Sequence, residues 1–441
     1  MSNRQKPKPP VTRNNWPGRI DVIKSAASTV AYGMMKYYTG NHTGGVPGNL
    51  PEGYYWWECG AMFMSLMDYW YYTGDSTYND ITTQGMLFQV GPDQDYVPPN
   101  QTKTEGNDDQ AFWGMAAMAA AEQKFPDPPP DQPQWLALAQ AVFNSQAARW
   151  DETCDGGLRW QINAFNNGYN YKNAIANGCF FNIGARLAVY TGNQSYAEWA
   201  GRTWDWSKQR GLISDSFEVF DGTDANKQCT SIDHDQWSYN FGTYLLGAAH
   251  MYNFTDGSDQ WKQRIEGLLK ASNVFFKEEI MYEFACEPQG TCNSDRKSFK
   301  AYTARWMAAA TKLAPFVSEQ VMSRLRTSAV AAAQQCSGGT DGVTCGMRWT
   351  QKTEWDGYYG IGEQMSALQV IQSLLIGRAP APVTSTTGGT SKGDVGAGNG
   401  SGNDSDARIL PTITSQDRVG AGFLTCLTLA GVLAGTWWVV V

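Results

Sequence analysis

The chain has 441 residues, of which 17% are charged and 13% aromatic, and its net charge is −8. That length fits one large domain or two ordinary ones, and the acidic balance argues against a nucleic-acid partner, which would favour a basic face. With 18 Trp and 21 Tyr among few charges, the composition suits either an aromatic core or a site where sugar rings stack on aromatic faces.

In chain order, residues 1–20 are basic and proline-rich and lack the apolar stretch of a secretory signal. They are expected to be disordered and are set aside from the fold. From 21 to 378 the chain reads as one continuous body dominated by helical spacing. The segments "QWLALAQAVFNSQAARW" (134–150), "CFFNIGARLAVYTG" (179–192), "FGTYLLGAAHMYNF" (241–254), "AYTARWMAAATKLA" (301–314) and "EQMSALQVIQSLLIG" (363–377) carry the pattern. Some are apolar nearly all round, as in helices buried on both sides.

A degenerate repeat punctuates this body: "YYTGDSTYNDI" (71–81), "VYTGNQSYAEWA" (189–200) and "MYNFTDGSDQWKQRI" (251–265). Each reads as an apolar helix ending in an aromatic, a glycine turn, and a second, more polar helix. "YYTGNHTGG" (37–45) is a weaker copy. Buried and amphipathic helices in alternation predict an all-α toroid of inner and outer helices, although an irregular helical protein would show the same periodicity.

At one end of such a toroid, the segments entering the inner helices build a cleft. Five clusters set Trp or Tyr beside polar groups just before an apolar helix: 53–62, 104–113, 156–178, 231–242 and 356–365. Polar groups at the mouths of buried helices cost stability unless they are satisfied or used. In "TEGNDDQAFW", Asp108 and Asp109 point about 100° apart on a helix. Neighbouring side chains fit the ~5–5.5 Å carboxyl separation of a retaining glycosidase more readily than the ~6.5–9.5 Å of an inverting one. A helix N-terminus favours an ionised carboxylate, while a second one beside it tends to stay protonated. The same pair could equally be a helix cap. "DHD" (233–235) is a rival carboxylate cluster, or a hydrogen-bonded loop.

The ends and cysteines speak to location. Residues 379–418 read as a Gly/Ser/Thr-rich linker, and 419–441 is an uncharged apolar tail. Small residues, a spacer and a terminal apolar tail match a GPI-anchor signal with attachment within 398–405; a spanning helix is the alternative. Of nine cysteines, "CEPQGTC" (286–292) and "CSGGTDGVTC" (336–345) look like disulfide-closed loops, while the pairing of the other four in the body stays open. Sequons stand at Asn41, Asn100, Asn193, Asn253, Asn399 and Asn403. With three histidines and no CxxC pair, no metal site is expected.

Taken together, "EGNDDQAFWGMAAMAAAE", "GGLRWQI", "YNYKNAIANGCFFNIGARLA", "SFKAYTARWMAA" and "GIGEQMSALQVIQ" resemble glycoside hydrolase family 76 and its fungal, GPI-anchored mannan endo-1,6-α-mannosidase branch, over about residues 21–378. The resemblance implies an (α/α)6 barrel, retaining chemistry on α-1,6-linked mannosides without cofactor, Asp108 as nucleophile and Asp109 as acid/base. It further implies a transglycosidase that takes a mannoside or GPI-glycan donor and passes it to a β-glucan acceptor; a monomer is expected. Plain endo-α-1,6-mannanase hydrolysis and a non-catalytic glycan-binding wall protein are the alternatives. Expected sugar contacts are Trp56, Trp57, Asn107, Gln110, Trp160, Tyr171, Lys172, Asn173, His234 and Tyr239. Asp235 stands where the family pattern calls for an apolar residue.

Overall fold

In a computed structural model, residues 19–399 are described, and they carry twelve α-helices. These are α1 (Ile20–Met35), α2 (Trp56–Thr73), α3 (Asn79–Phe88), α4 (Asn107–Glu122), α5 (Trp135–Ala148), α6 (Ala174–Thr191), α7 (Gln194–Gln209), α8 (Ser238–Phe254), α9 (Asp259–Ala271), α10 (Phe299–Leu313), α11 (Ser318–Gln334) and α12 (Ile361–Gln372). The even-numbered helices each pack on the next, and α12 returns to α2, closing a six-membered inner ring. The odd-numbered helices pack outside it, so the fold is the expected (α/α)6 barrel.

Sequence pattern explains which helix goes where. The outer α9 buries a single stripe of Trp261, Ile265, Leu268 and Leu269, at the spacing of one helix face. The inner α4 buries every residue except Asp108 and Asp109. The three strong repeat copies are the inner-to-outer joints, with left-handed glycines Gly74, Gly192 and Gly257 turning the chain. The weaker copy at 37–45 instead follows the outer helix α1 and starts no second helix. A three-stranded antiparallel sheet, β1 (Tyr171–Asn173), β2 (Gly222–Asp224) and β3 (Ile232–Asp233), sits beside the entrances of α6 and α8.

Toward the C-terminal ends of the inner helices lies a buried polar network with one member from each. Arg186 on α6 pairs with Glu122 on α4 at 2.6 Å, and His250 Nε2 on α8 stands 3.6 Å from the same carboxylate. Arg305 on α10 pairs with Asp68 on α2 at 3.0 Å, and Gln369 on α12 donates to Asp68 at 2.7 Å.

The body does not stop at the expected boundary of 378. Residues 379–398 strap across this end and up along α5. The Val383 N–H donates to the Glu122 carbonyl at 2.8 Å, the Ser385 N–H to the Tyr190 carbonyl at 2.9 Å, and the Asp394 N–H to Gln140 Oε1 at 2.7 Å. These bonds give the polar segment fixed partners, so it belongs to the compact unit that ends at Gly398. Residues 400–418 of the expected linker, with Asn403, and the apolar tail 419–441, with Cys426, lie outside the described residues.

Three disulfides form: Cys286–Cys292 and Cys336–Cys345, as the spacing predicts, and Cys154–Cys229. Cys59 and Cys179 stay as buried thiols.

Candidate active site

The N-terminal ends of α2, α4, α6, α8 and α10 converge on one cavity of about 520 Å³. Asp108 and Asp109 line it from the first turn of α4. Asn107 and Gln110 flank the pair in sequence but lie on the opposite side of the helix, toward α5. Asn107 Oδ1 accepts from Arg149 Nε at 2.8 Å, and Gln110 Nε2 donates to Ser145 Oγ at 2.8 Å. The helix therefore presents 108, 109 and 112 to the cavity and 107 and 110 to the packing.

The backbone fixes the carboxylates. Asp109 Oδ2 accepts from the Gly106 N–H at 2.7 Å, and Asp108 Oδ1 accepts from the Asp109 N–H at 3.1 Å. A Cβ at Gly106 would collide with Asp108 Oδ1 and stand 3.3 Å from Asp109 Oδ2. Oxygens of both carboxylates thus crowd one face of Gly106. Any side chain at 106 would displace the pair.

Each aspartate keeps a face on the cavity, yet both carboxyls are held above the usual aspartate range. Burial is the main cause for Asp108, with the amides of 108 and 109 and the Trp160 side chain partly offsetting it. Asp109 is pushed further, by burial and then by the charge of Asp108 beside it. The pair titrates as a unit, and its second proton is the harder one to remove. No salt bridge to either forms among the described residues.

The walls are aromatic. Trp56 stacks on Trp113 with centroids 5.0 Å apart and is oriented by its indole N–H donating to Gln89 at 2.9 Å. Trp57 packs on Phe112 at 4.6 Å. Tyr239 lies flat on Phe299, with centroids 3.7 Å apart. Trp160 and Tyr171 line the next sector, and the Tyr171 hydroxyl donates to Asp221 at 2.8 Å. Asn173 lines the cavity while capping α6.

Eight of the twelve expected site residues share this cavity: Asp108 and Asp109, Trp56 and Trp57, Tyr171 and Asn173, and Trp160 and Tyr239. Four expected contacts do not reach it. Asn107 and Gln110 serve the α4–α5 packing described above. Lys172 is fully buried on the other face of β1, where its ammonium meets Asp151 at 2.9 Å and the Gly156 carbonyl at 2.7 Å. His234 is exposed and packs edge-on against Phe220, with centroids 4.5 Å apart. The "DHD" rival is thus a solvent-facing turn, in which the exposed Asp235 donates its N–H to Asp233 at 3.0 Å. The cluster at 356–365 lines no part of the cavity.

Sequence reasoning missed Tyr55, Asp221, Trp237, Asp295 and Arg296, all of which line the cavity. Tyr55 and Trp237 sat inside clusters already singled out. Asp295 and Arg296 come from "CNSDRKSF", which carries no Trp or Tyr to mark it.

Comparison with known proteins agrees with this geometry. Residues 22–386 match glycosyl hydrolase family 76. Mannan endo-1,6-alpha-mannosidase DCW1 of Candida glabrata is 49% identical over 423 residues, covering 95% of this chain and 94% of that protein. Mannan endo-1,6-alpha-mannosidase DFG5 of Saccharomyces cerevisiae is 44% identical over 420 residues, covering 94% and 92%. The crystal structure of Dfg5 from Chaetomium thermophilum in complex with glucosamine superposes with a TM-score of 0.86 at 48% identity, covering 88% of this chain and 98% of that one. An alpha-1,6-mannanase of Salegentibacter sp., inactivated by replacing two consecutive aspartates with asparagine and bound to alpha-1,6-mannotriose, shares the fold with a TM-score of 0.64 at 16% identity, covering 80% and 99%. The chain belongs to glycosyl hydrolase family 76, among fungal relatives named mannan endo-1,6-alpha-mannosidase.

Proposed function

We propose that this protein is a retaining glycosidase that acts mainly by transfer, cleaving α-1,6-linked or GPI-core mannosides and passing the glycosyl group to cell-wall β-glucan. The observation that carries the reading is the adjacent, uncompensated Asp108–Asp109 pair in an aromatic-walled cavity. Asp108, the less basic of the two, attacks the anomeric carbon, while Asp109 delivers its proton to the departing oxygen. The glycosyl group then rests as an ester on Asp108. Asp109, now ionised, takes the proton from an acceptor hydroxyl, whose oxygen displaces Asp108 with a second inversion. Water as acceptor gives hydrolysis; a sugar hydroxyl gives transfer. The shared crowding of both carboxylates on Gly106 supports retention, and the stacked rings suit a sugar acceptor over bulk water.

Secretion and a GPI anchor are part of the proposal. The asparagines of the five sequons within the described residues, at 41, 100, 193, 253 and 399, are all exposed. Three disulfides suit an oxidising compartment.

The test is incubation with an α-1,6-mannotetraose donor and a β-glucan oligosaccharide acceptor, followed by mass spectrometry and anomeric NMR. A mixed product with retained configuration is expected. Mannose oligomers alone would reduce the function to hydrolysis, and an inverted anomer would remove Asp108 from the nucleophile's role.

A further inference from the structure

We infer that the arm at 286–298, closed on itself by the Cys286–Cys292 disulfide, forms the far wall of the cleft and presents Asp295 as the residue that positions the sugar opposite the catalytic pair. This rests on the glycosidase reading above.

Position comes first. Asp295 lies in the short turn just before Ser298 and α10, and α10 stands three places from α4 in either direction round the six-helix ring. Asp295 lines the cavity, and its charge is felt at both Asp108 and Asp109. A pyranose bound in the cavity would meet Asp295 from the α10 entrance and the aspartate pair from the α4 entrance.

Chemistry comes second. Burial raises the Asp295 carboxyl to about 6, although the Trp57 side chain and the Arg296 charge work against it. Arg296 does not neutralise it: the guanidinium lies 4.3 Å over the Trp237 ring, and no salt bridge to Asp295 forms among the described residues. Asn293 Nδ2 reaches Oδ2 at 3.3 Å. That leaves acceptor capacity facing the cavity, and a carboxylate oxygen there suits a sugar hydroxyl donor, with charge-assisted strength.

Third, the arm is built to hold this group still. Its base carries Glu287, which pairs with the buried Lys300 at 2.6 Å. Its tip is tied to the entrance of α2, where Ser294 Oγ donates to the Gly53 carbonyl at 3.2 Å. Ser298 Oγ and N both donate to the Asp295 carbonyl, at 2.6 and 2.9 Å, closing the turn that aims the side chain. The arm thus reaches from the entrance of α10 to that of α2, and α12 between them contributes nothing to the cavity.

The experiment uses the full chain carrying Asp108→Asn and Asp109→Asn, with α-1,6-mannotriose titrated by calorimetry. Adding Asp295→Ala is expected to weaken binding at least tenfold, and Asp295→Asn about threefold, because the amide keeps one acceptor oxygen. In the active protein, Asp295→Ala should raise KM about tenfold with kcat changed less than threefold, a split that general loosening of the fold would not produce. Unchanged affinity in both Asp295 variants overturns this inference alone. No mannotriose binding by the parent protein overturns the glycosidase reading and this inference with it. Should Asp295→Ala fail to fold, the isosteric Asp295→Asn decides: threefold weaker binding supports the inference, and unchanged affinity overturns it.

Discussion

The two ends of the inner ring hold the same residue type under opposite electrostatics. At the base, each buried carboxylate has a guanidinium: Glu122 has Arg186, and Asp68 has Arg305. Burial alone would raise Glu122, but Arg186 and His250 outweigh it and hold it down to about 2. Asp68 stays above its ordinary value because its burial outweighs Arg305 and its two glutamine donors. At the mouth, Asp108, Asp109, Asp295 and Glu58 have no such partner within salt-bridge range among the described residues, and all four are raised, with burial as the leading cause. A carboxylate taken out of water without a cation costs stability. The base pairs its charges across the six helices, whereas the mouth leaves these four carboxylates without salt-bridge partners among the described residues. The difference marks the candidate active end of the barrel more clearly than any one residue does.

The largest expected effect breaks the mouth. Asp108→Asn or Asp109→Asn should lower the rate about 10⁴-fold, since each removes one member of a unit that acts jointly. The melting temperature should hold or rise, because a buried charge has been removed; a steady-state assay beside a thermal melt checks both.

Breaking the base should do the reverse. Arg186→Met leaves Glu122 buried and uncompensated, and should destabilise the fold by about 3–5 kcal/mol, read from the denaturant midpoint.

The third prediction sharpens the comparison through pH. Glu58 is raised to about 8, mainly by burial. A carboxyl with a raised folded pKa costs nothing at low pH and destabilises as pH climbs from its unfolded value to its folded one. Glu58→Gln should therefore raise the melting temperature at pH 8 by about 3 °C or more and leave it unchanged at pH 4. Glu122 has the opposite sign: its contribution is present above pH 4.5 and is lost as pH falls toward 2. The smallest effect belongs to the double variant Glu122→Gln with Arg186→Met, which removes both charges and should lie within about 1 kcal/mol of the parent.

Much of this contrast was legible in the sequence, and the failures have geometric causes. Inner helices announced themselves by being apolar all round, so the two aspartates stood out on α4. Neighbours of a motif residue were harder to place. Asn107 and Gln110 are on the wrong side of that helix, and Lys172 is on the wrong face of a strand whose alternate residues, Tyr171 and Asn173, line the cavity. Recognising β1 as a strand would have separated them. Asp295 was out of reach because its role depends on standing across the ring from residues nearly two hundred positions earlier. No local pattern encodes that.

The seam between α2 and α12 has a consequence during synthesis. Gln369 meets Asp68 across 301 positions, and Gln372 meets the Ser65 carbonyl across 307. A ribosome adding roughly 5–20 residues per second needs on the order of 15–60 s to bridge that gap. Through that interval α2 has been made but its partner across the seam has not, so its apolar face is open to chaperones. The barrel is therefore a late folder by construction, since no portion released early contains both sides of its own closure.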